Sequence, residues 1–216
     1  MAQFFTIHPE NPNLRLIRQA AEVLRGGGIV VYPTDSSYAL GCHLDDKDAV
    51  MRIRQIRQLD EQHNMTLMCR DLSEISRYAK VDNVKFRLLK SNTPGSYTFI
   101  LEATKEVPKR LQHPKRSTIG IRIPDHPVAL ALLEELGEPI LSSSLILPED
   151  AGSQNDGVPL NDAEHIRDLL EKQVELVIDG GAVGMDFTTV IDLTGDAPVL
   201  LRLGKGDVAP FGIEES

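Results

Sequence analysis

The sequence predicts an α/β fold, because short apolar runs of strand type alternate along the chain with longer segments of helical periodicity. Several of the predicted strands end in hydroxyl side chains, which is typical of sheets that bind ligands at the carboxyl ends of their strands. The length of 216 residues fits one α/β domain or two very small ones, and the hydrophobic content of 41% allows a sizeable core.

Helical spacing of apolar residues, together with capping residues, predicts five helices. The first begins at Asn11-Pro12 and ends before residues 26–28, with an apolar stripe of Leu14, Ile17, Ala20, Ala21 and Leu24. The second helix follows Asp45 or Asp46, and the third begins at the capping box at 71–74 and continues over 84–89. The fourth begins at His126-Pro127 and ends at Leu136, and the fifth covers 161–172, after a loop. Strands are predicted at 29–32, 65–69, 97–102, 117–123, 139–141, 176–178, 189–193 and 199–203, and an exposed loop at 147–160.

The stretch 29–42 is the most informative one. Its apolar β-branched start predicts a buried strand, and Pro33 ends that strand because it has no N–H for the ladder. The hydroxyls and the carboxylate of Thr34, Asp35 and Ser36 then fit the rim of a polar pocket. They equally fit a hydrogen-bonded turn, since Ser and Asp bond to nearby backbone for purely local reasons.

The composition restricts the classes of partner. A formal net charge of -9 repels nucleic acid and phosphate, so any anion site requires a local reversal of sign. Cys42 and Cys69 lack metal-ligand spacing and no secretory signal opens the chain, so we expect reduced thiols in a cytoplasmic protein. No apolar run approaches the ~20 residues of a membrane span, so we expect no membrane contact.

The common catalytic signatures are absent from the sequence, which contains no Gly-rich phosphate loop, no nucleophile triad and no array of metal ligands. Hydroxyl side chains recur instead near strand ends, at Thr34, Ser36, Thr98, Ser142, Ser144 and Thr188. Arg57, Arg122 and Arg202 can converge on the same cleft. Guanidinium and hydroxyl groups together suit carboxylates and phosphates, and such a site works by orientation and electrostatics.

The segment from Lys105 to Arg122 departs from the acidic average and contains Glu106 as its one acid. Four of its cations, Lys109, Arg110, Lys115 and Arg116, form a candidate nucleic-acid patch. Arg122 lies on the predicted strand between two isoleucines. If those isoleucines face the core, Arg122 faces outward or into a cleft.

Six short motifs, in order and spacing, resemble the YrdC-like family, and most closely its YciO branch, over nearly the whole chain. They are Tyr32-Pro33-Thr34-Asp35, Pro94-Gly95-Ser96-Tyr97-Thr98, Arg122-Ile123-Pro124, Ser142-Ser143-Ser144, Thr188-Thr189-Val190-Ile191-Asp192 and Leu201-Arg202-Leu203-Gly204. The resemblance implies one domain over residues 1–216 with its core at 14–204, a twisted, open, mixed sheet with helices on its faces, and a large concave, positively charged cleft.

The resemblance also implies an activity, L-threonylcarbamoyladenylate synthase. In this reaction threonine, bicarbonate and ATP give threonylcarbamoyl-AMP and pyrophosphate, for the modification of adenosine 37 in tRNA. Arg57 and Ser144 are then expected to act in catalysis, and the substrate and nucleotide are expected to bind Thr34, Ser36, Thr98, Arg122, Ser142, Thr188 and Arg202, with Arg122 on the threonine carboxylate. ATP would be a substrate that brings Mg²⁺, and neither a tightly bound cofactor nor a protein metal site is expected.

Two positions depart from the family pattern. Active members carry Lys-x-Arg where this chain has Arg57-Gln58-Leu59, and Ser-x-Asn where it has Ser144-Leu145-Ile146. An apolar side chain cannot replace a charge-assisted hydrogen bond worth ~1.5–3 kcal/mol. We therefore expect nucleotide binding with weak or altered synthase activity. The alternatives are a full synthase in which Arg57 and other groups compensate, and a module that binds double-stranded RNA, tRNA or the ribosome without catalysis.

Overall fold

The computed structural model describes residues 1–60, 62–147, 157 and 159–213, and the α/β class is confirmed there. Ten described strands are β1 (Gln3–Thr6), β2 (Val30–Pro33), β3 (Tyr38–His43), β4 (Thr66–Met68), β5 (Tyr97–Glu102), β6 (Thr118–Arg122), β7 (Ile140–Ser144), β8 (Leu176–Asp179), β9 (Thr189–Asp192) and β10 (Val199–Arg202). The described helices are α1 (Leu14–Arg25), α2 (Lys47–Arg57), α3 (Leu72–Tyr78), α4 (Asn83–Asn92), α5 (Pro127–Leu136) and α6 (Ala163–Leu170).

The ten strands form one mixed sheet in the order β1-β8-β2-β3-β7-β4-β6-β5-β9-β10. The pairs β1–β8, β8–β2, β4–β6 and β5–β9 are parallel, and the other neighbours are antiparallel. Because β2 and β7 both run antiparallel to β3 between them, their carboxyl ends lie at the same edge of the sheet. Thr34 and Ser144 therefore lie on one side of the molecule, as the sequence predicts.

Local sequence signals place most helix ends correctly. Asp46, Asp71 and His126 each accept a hydrogen bond from a backbone N–H in the first turn of α2, α3 and α5, and Gly137 closes α5 in the left-handed conformation. The predicted start of the first helix at Asn11-Pro12 is wrong. Asn13 caps that helix by accepting from the N–H groups of Arg15 and Leu16, and Leu14, predicted in the buried stripe, is 60% exposed.

Two strands escaped prediction, β1 and β3, and a third was predicted too short. β3 lies inside the stretch 29–42 and pairs with β2 on one side and with β7 on the other. The strand predicted at 139–141 continues through Ser144, because Ser142, Ser143 and Ser144 pair with β3. The predicted loop at 147–160 falls mostly on residues 148–156 and 158, which lie outside the described residues.

The two faces of the sheet bury separate apolar clusters. The helices α1 and α5 cover one face, where Ile17 and Leu132 pack in one cluster with Ile140 of β7, while α2, α3, α4 and α6 cover the other. Ser142 lies two positions after Ile140 and therefore points to the α1/α5 face. The helices cover only part of that face, and the strand ends beyond them line a polar cavity.

The sheet is strongly curved. Arg122 of β6 donates from Nη2 to Thr34 Oγ1 at 3.4 Å, although four steps separate β2 from β6 in the strand order. In a flat sheet four steps span about 19 Å. The curvature therefore brings the carboxyl end of β6 against the turn that follows β2, which makes the cavity face concave.

Candidate active site

A cavity of about 290 Å³ opens on the concave face. The end of α2, the segment before β4, and strands β4, β5, β7, β9 and β10 contribute to its walls. The lining residues are Arg57, Gln62, His63, Asn64, Met65, Thr66, Thr98, Ile100, Ser142, Ser143, Ser144, Ile146, Thr188, Val190 and Arg202. Among the described lining residues there are two arginines and no carboxylate.

Arg57 is the last residue of α2 and extends into the cavity. Four of the five apolar residues of this helix, Ala49, Val50, Ile53 and Ile56, are buried, so Arg57 emerges from a fixed element. Its Nε donates to Ser143 Oγ at 3.0 Å, and its Nη1 donates to the carbonyl of Ile146. Gln58 then takes the left-handed conformation with φ 52°, which ends the helix and turns the chain.

Arg202 approaches from the opposite wall and holds Thr188. Its Nε and Nη2 donate to the Thr188 carbonyl at 3.2 and 3.1 Å, and the guanidinium lies 5.0 Å from the centre of the Phe187 ring. The hydroxyls of Thr188 and Thr98 are 2.9 Å apart. A Cβ on Gly204 would lie 2.4 Å from the Phe187 carbonyl oxygen, so only glycine allows this close chain crossing.

Hydroxyl groups on the floor of the cavity are oriented by buried side chains beneath them. Ser142 Oγ lies 2.6 Å from the Tyr32 hydroxyl. Burial is the main influence on Tyr32 and raises the pKa of its phenol to about 12, so it stays protonated at neutral pH. A Cβ on Gly120 would lie 2.8 Å from Thr66 Oγ1, so this glycine keeps the floor open.

A second polar cluster adjoins the cavity and is built around the ion pair of Arg122 and Asp35. Arg122 is 4% exposed, and its Nη2 lies 2.5 Å from Asp35 Oδ1. Asp35 Oδ2 accepts from Ser96 Oγ at 2.6 Å. Burial raises the pKa of the Asp35 carboxyl, but the charge of Arg122 and the hydrogen bonds outweigh it, and the net effect is a lowered pKa.

One of the five N–H donors of the Arg122 guanidinium is buried without an acceptor. Its Nε is buried and has no hydrogen-bond partner within the described part of the chain. A buried N–H without a partner is costly, and native structures rarely keep one unless a ligand or water completes it. Arg70 Nε, in the ion pair with Glu74, is likewise buried without a partner among the described residues, but Arg122 differs in lying with Thr34, Ser36 and Ser96 in one polar cluster.

The turn after β2 holds this cluster in place. Thr34 Oγ1 donates to the Ser37 carbonyl at 2.6 Å and lies 3.2 Å from Ser36 Oγ. Lys205 Nζ donates to the Asp35 carbonyl at 2.6 Å. Both interpretations of the sequence apply here, because the hydroxyls form a local turn and that turn supports the rim of a polar site.

Comparison with protein families matches residues 22–204 to the Sua5/yciO/yrdC family, whose model carries the description "Telomere recombination". The chain belongs to this family. The uncharacterized protein YciO of Escherichia coli (strain K12) is 61% identical over 211 residues, which cover 98% of this chain and 100% of that protein. The threonylcarbamoyl-AMP synthase of Bacillus subtilis (strain 168) is 32% identical over 190 residues, covering 87% of this chain and 53% of the synthase.

Solved structures agree with this assignment. The crystal structure of E. coli YciO matches with a TM-score of 0.92 at 62% identity, over 98% of this chain and 100% of that one. P. abyssi Sua5, in a crystal structure complexed with L-threonine, matches with a TM-score of 0.82 at 29% identity, over 93% of this chain and 57% of that one. The chain thus spans a little over half of the synthase and of Sua5.

The structure groups the predicted site residues of this family member into two adjoining sets. Arg57, Thr98, Ser142, Ser144, Thr188 and Arg202 line the cavity, whereas Thr34, Ser36 and Arg122 belong to the cluster around Asp35. Their roles stay predictions.

The four cations of the predicted patch do not line the cavity. Arg110 donates to the Leu44 carbonyl at 2.9 Å, and Arg116 is paired with Asp192 at 2.6 Å. Their segment leaves β5 at the end away from Thr98.

The two departures from the family pattern occupy different environments. Ile146 is 4% exposed and forms part of the cavity wall. Leu59 packs against the apolar cluster on the opposite face of the sheet. The chain then returns to the cavity with Gln62, His63 and Asn64.

Several lining residues escaped prediction, namely Ser143, Thr66, Gln62, His63 and Asn64, as did the structural role of Asp35 and Ser96. Thr66 carries a signal in the sequence, since it is a polar residue on a short apolar strand. The loop residues carry none, because their position depends on the turn after Gln58. Groups of three or more metal-ligating side chains are absent from the described residues. No described helix combines the length and apolar character needed to cross a membrane.

Proposed function

We propose that the protein binds ATP in the cavity and a small amino acid beside Arg122, and that it has weak or altered L-threonylcarbamoyladenylate synthase activity. ATP is a substrate and brings Mg²⁺ with it, because Mg²⁺ is usually bound through substrate phosphates. The setting is cytoplasmic, and the product serves the modification of adenosine 37 in tRNA.

The observation that carries the proposal is the composition of the cavity wall. Arg57 and Arg202 reach it from opposite sides, hydroxyls of Thr98, Ser142 and Thr188 lie between them, and no described lining residue is a carboxylate. This combination suits phosphate oxygens, which accept bidentate bonds from guanidinium groups and single bonds from hydroxyls. It also provides the local reversal of sign that a chain of net charge -9 needs for an anion.

The unused donor of Arg122 supports the amino-acid site. A ligand carboxylate would give Nε an acceptor while Asp35 continues to accept from Nη2. P. abyssi Sua5 is a family member whose structure contains L-threonine, which is the class of ligand that this pocket would take.

The reaction has two steps in which these residues act by position. The threonine amine and bicarbonate first give an N-carboxylate and water. An oxygen of that carboxylate then attacks the α-phosphorus of ATP, the bond to the β-phosphate oxygen breaks, and pyrophosphate leaves. Arg57, Arg202 and the hydroxyls would orient the phosphates and balance the charge that develops on the leaving pyrophosphate. The apolar side chain of Ile146 in the wall cannot stabilise the negative charge on the pyrophosphate. We therefore expect low turnover.

The first experiment measures MgATP binding by calorimetry and pyrophosphate release with and without threonine and bicarbonate. We expect binding by the wild type, with a tenfold or larger loss in Arg57→Gln and in Arg202→Gln. Arg18→Gln is the matched control, because Arg18 has an exposed side chain on α1 far from the cavity. Equal affinity of all four proteins, or no MgATP binding at all, would contradict the proposal.

A second candidate is an RNA-binding module without catalysis. It is favoured by Lys109, Lys115 and their neighbours, which are exposed on the segment between β5 and β6. Pyrophosphate release that requires threonine argues against it, whereas salt-sensitive RNA binding with no turnover argues for it.

A further inference from the structure

His63 is an ionisable residue at the mouth of the cavity to which the family resemblance gave no role. It lies in the segment between α2 and β4, where Gln58 turns the chain and Leu59 packs away on the other side of the sheet. Gln62, His63 and Asn64 then line the cavity together with Arg57 and Arg202. The segment that lacks the second family cation therefore brings a different titratable group to the same pocket.

We propose that His63 is a conditional third cation of the cavity, neutral in the empty protein and protonated when a phosphate-bearing ligand is bound. The inference rests on the proposed function, because it requires an anion in this cavity. It adds a regulatory property to that site, since ligand affinity then depends on pH near neutrality.

The surroundings of His63 account for both the neutral and the protonated form of its ring. Packing against the cavity wall withdraws water from the ring, and the charges of Arg57, Arg54 and Arg202 oppose protonation, while the carboxylate of Asp60 favours it. The net effect lowers the pKa of His63, although the residue as a whole remains exposed to solvent. An anion between Arg57 and Arg202 would screen the repulsion from both guanidinium groups, and protonation would become favourable.

The sign of the pH dependence follows from linkage. If the anion prefers the protonated ring, the pKa of His63 is higher in the complex than in the free protein. Affinity is then constant above the pKa of the complex and increases as the pH falls between the two pKa values. It is constant again below the pKa of the free protein.

The test uses inorganic sulfate as the probe, because its charge does not change between pH 5 and pH 8. We would follow the imidazole proton resonances of the six histidines by NMR and assign His63 from its loss in His63→Gln. We expect saturation with sulfate to raise the pKa of His63 by about one unit, which is equivalent to tenfold tighter binding to the protonated form. Arg57→Gln should raise the pKa of His63 in the free protein.

Affinity measurements complete the test. Wild type and His165→Gln, a matched change at an exposed site on α6, should bind sulfate more tightly at pH 5.5 than at pH 8, by up to about tenfold. His63→Gln should lose this difference, and His63→Lys should bind tightly at both values. Sulfate binding with the same pH dependence in His63→Gln would overturn the inference and leave the proposed function intact. If neither sulfate nor MgATP binds the wild type, the proposed function fails first.

Discussion

Asp35 and Arg122 form the buried charged pair on which the candidate amino-acid site depends. The two side chains are 11% and 4% exposed, and Asp35 also accepts from Ser96 and from the Asp125 N–H. A half-satisfied buried pair is strongly destabilising, while a complete one fixes its members in place. The cluster therefore holds Arg122 with one face toward Asp35 and leaves its buried Nε–H for the proposed ligand.

Asp35 gives a prediction about stability and pH. Asp35→Asn leaves Arg122 without its counter-charge and should lower the free energy of unfolding near pH 7 by about 3–5 kcal/mol. Because the folded state lowers the pKa of Asp35, its stabilisation is complete above the unfolded pKa and is lost as the pH falls through the folded pKa. The difference in the free energy of unfolding between wild type and Asp35→Asn should therefore become smaller as the pH falls below about 4.

Urea unfolding at several pH values between 3 and 7 measures this difference in the free energy of unfolding. Asp168→Asn is the control, because that carboxylate is 70% exposed and pairs only with its neighbour Arg167 among the described residues. A gap between wild type and Asp35→Asn that is constant with pH would show that the ion pair is not what stabilises the cluster.

At the scale of elements, the end of α2 and the end of β7 meet in the cavity wall. Arg57 bridges them through Ser143 and the Ile146 carbonyl, so the helix end and the strand end are held together by one side chain. Ile146 already lies in the wall, where a polar group would face a ligand. Leu59 lies on the far side of the turn, where an arginine must first leave the apolar cluster.

This geometry refines the prediction on catalysis. Leu59→Arg with Ile146→Asn should raise threonine-dependent pyrophosphate release tenfold or more, which is ~1.4 kcal/mol of transition-state stabilisation. Ile146→Asn alone should supply the larger share, since its side chain starts in the cavity wall. Initial rates at saturating ATP, threonine and bicarbonate measure the effect, with Ile146→Val as the apolar control. A wild type that already equals an authentic synthase in the same assay would contradict it.

At the scale of the whole molecule, charge decides between the enzyme and the RNA module. The net charge is -9, and Arg110 and Arg116 of the basic segment are already engaged by Leu44 and Asp192. We therefore expect duplex RNA to bind no more tightly than a non-specific site, with a Kd of about 10⁻⁴–10⁻⁶ M at physiological salt. Filter binding at 50 and 200 mM salt, with Lys109→Ala/Lys115→Ala as the comparison, measures this. Submicromolar binding that the double variant abolishes would favour the RNA module.

The secondary structure of this protein is determined largely by local sequence. Apolar periodicity and capping residues such as Asp46, Asp71 and His126 predicted the positions of most helices and strands, because these signals act over a few residues. The chemistry of the site was equally local. Hydroxyls near strand ends and the three arginines predict a phosphate or carboxylate ligand, because the side-chain types alone carry that preference, and this stays a prediction.

Only the tertiary structure decided how these groups combine. β3 was missed because its pairing with β7 joins residues about a hundred positions apart, and its mixed sequence, with Gly41 in the middle, has no strong local strand signal. The contact between Arg122 and Thr34 depends on the curvature of the sheet, which strand order sets. Likewise, the turn at Gln58 sends Leu59 to one face of the sheet and His63 to the other. Such contacts arise from long-range packing, which is a property of the whole chain and of no single segment.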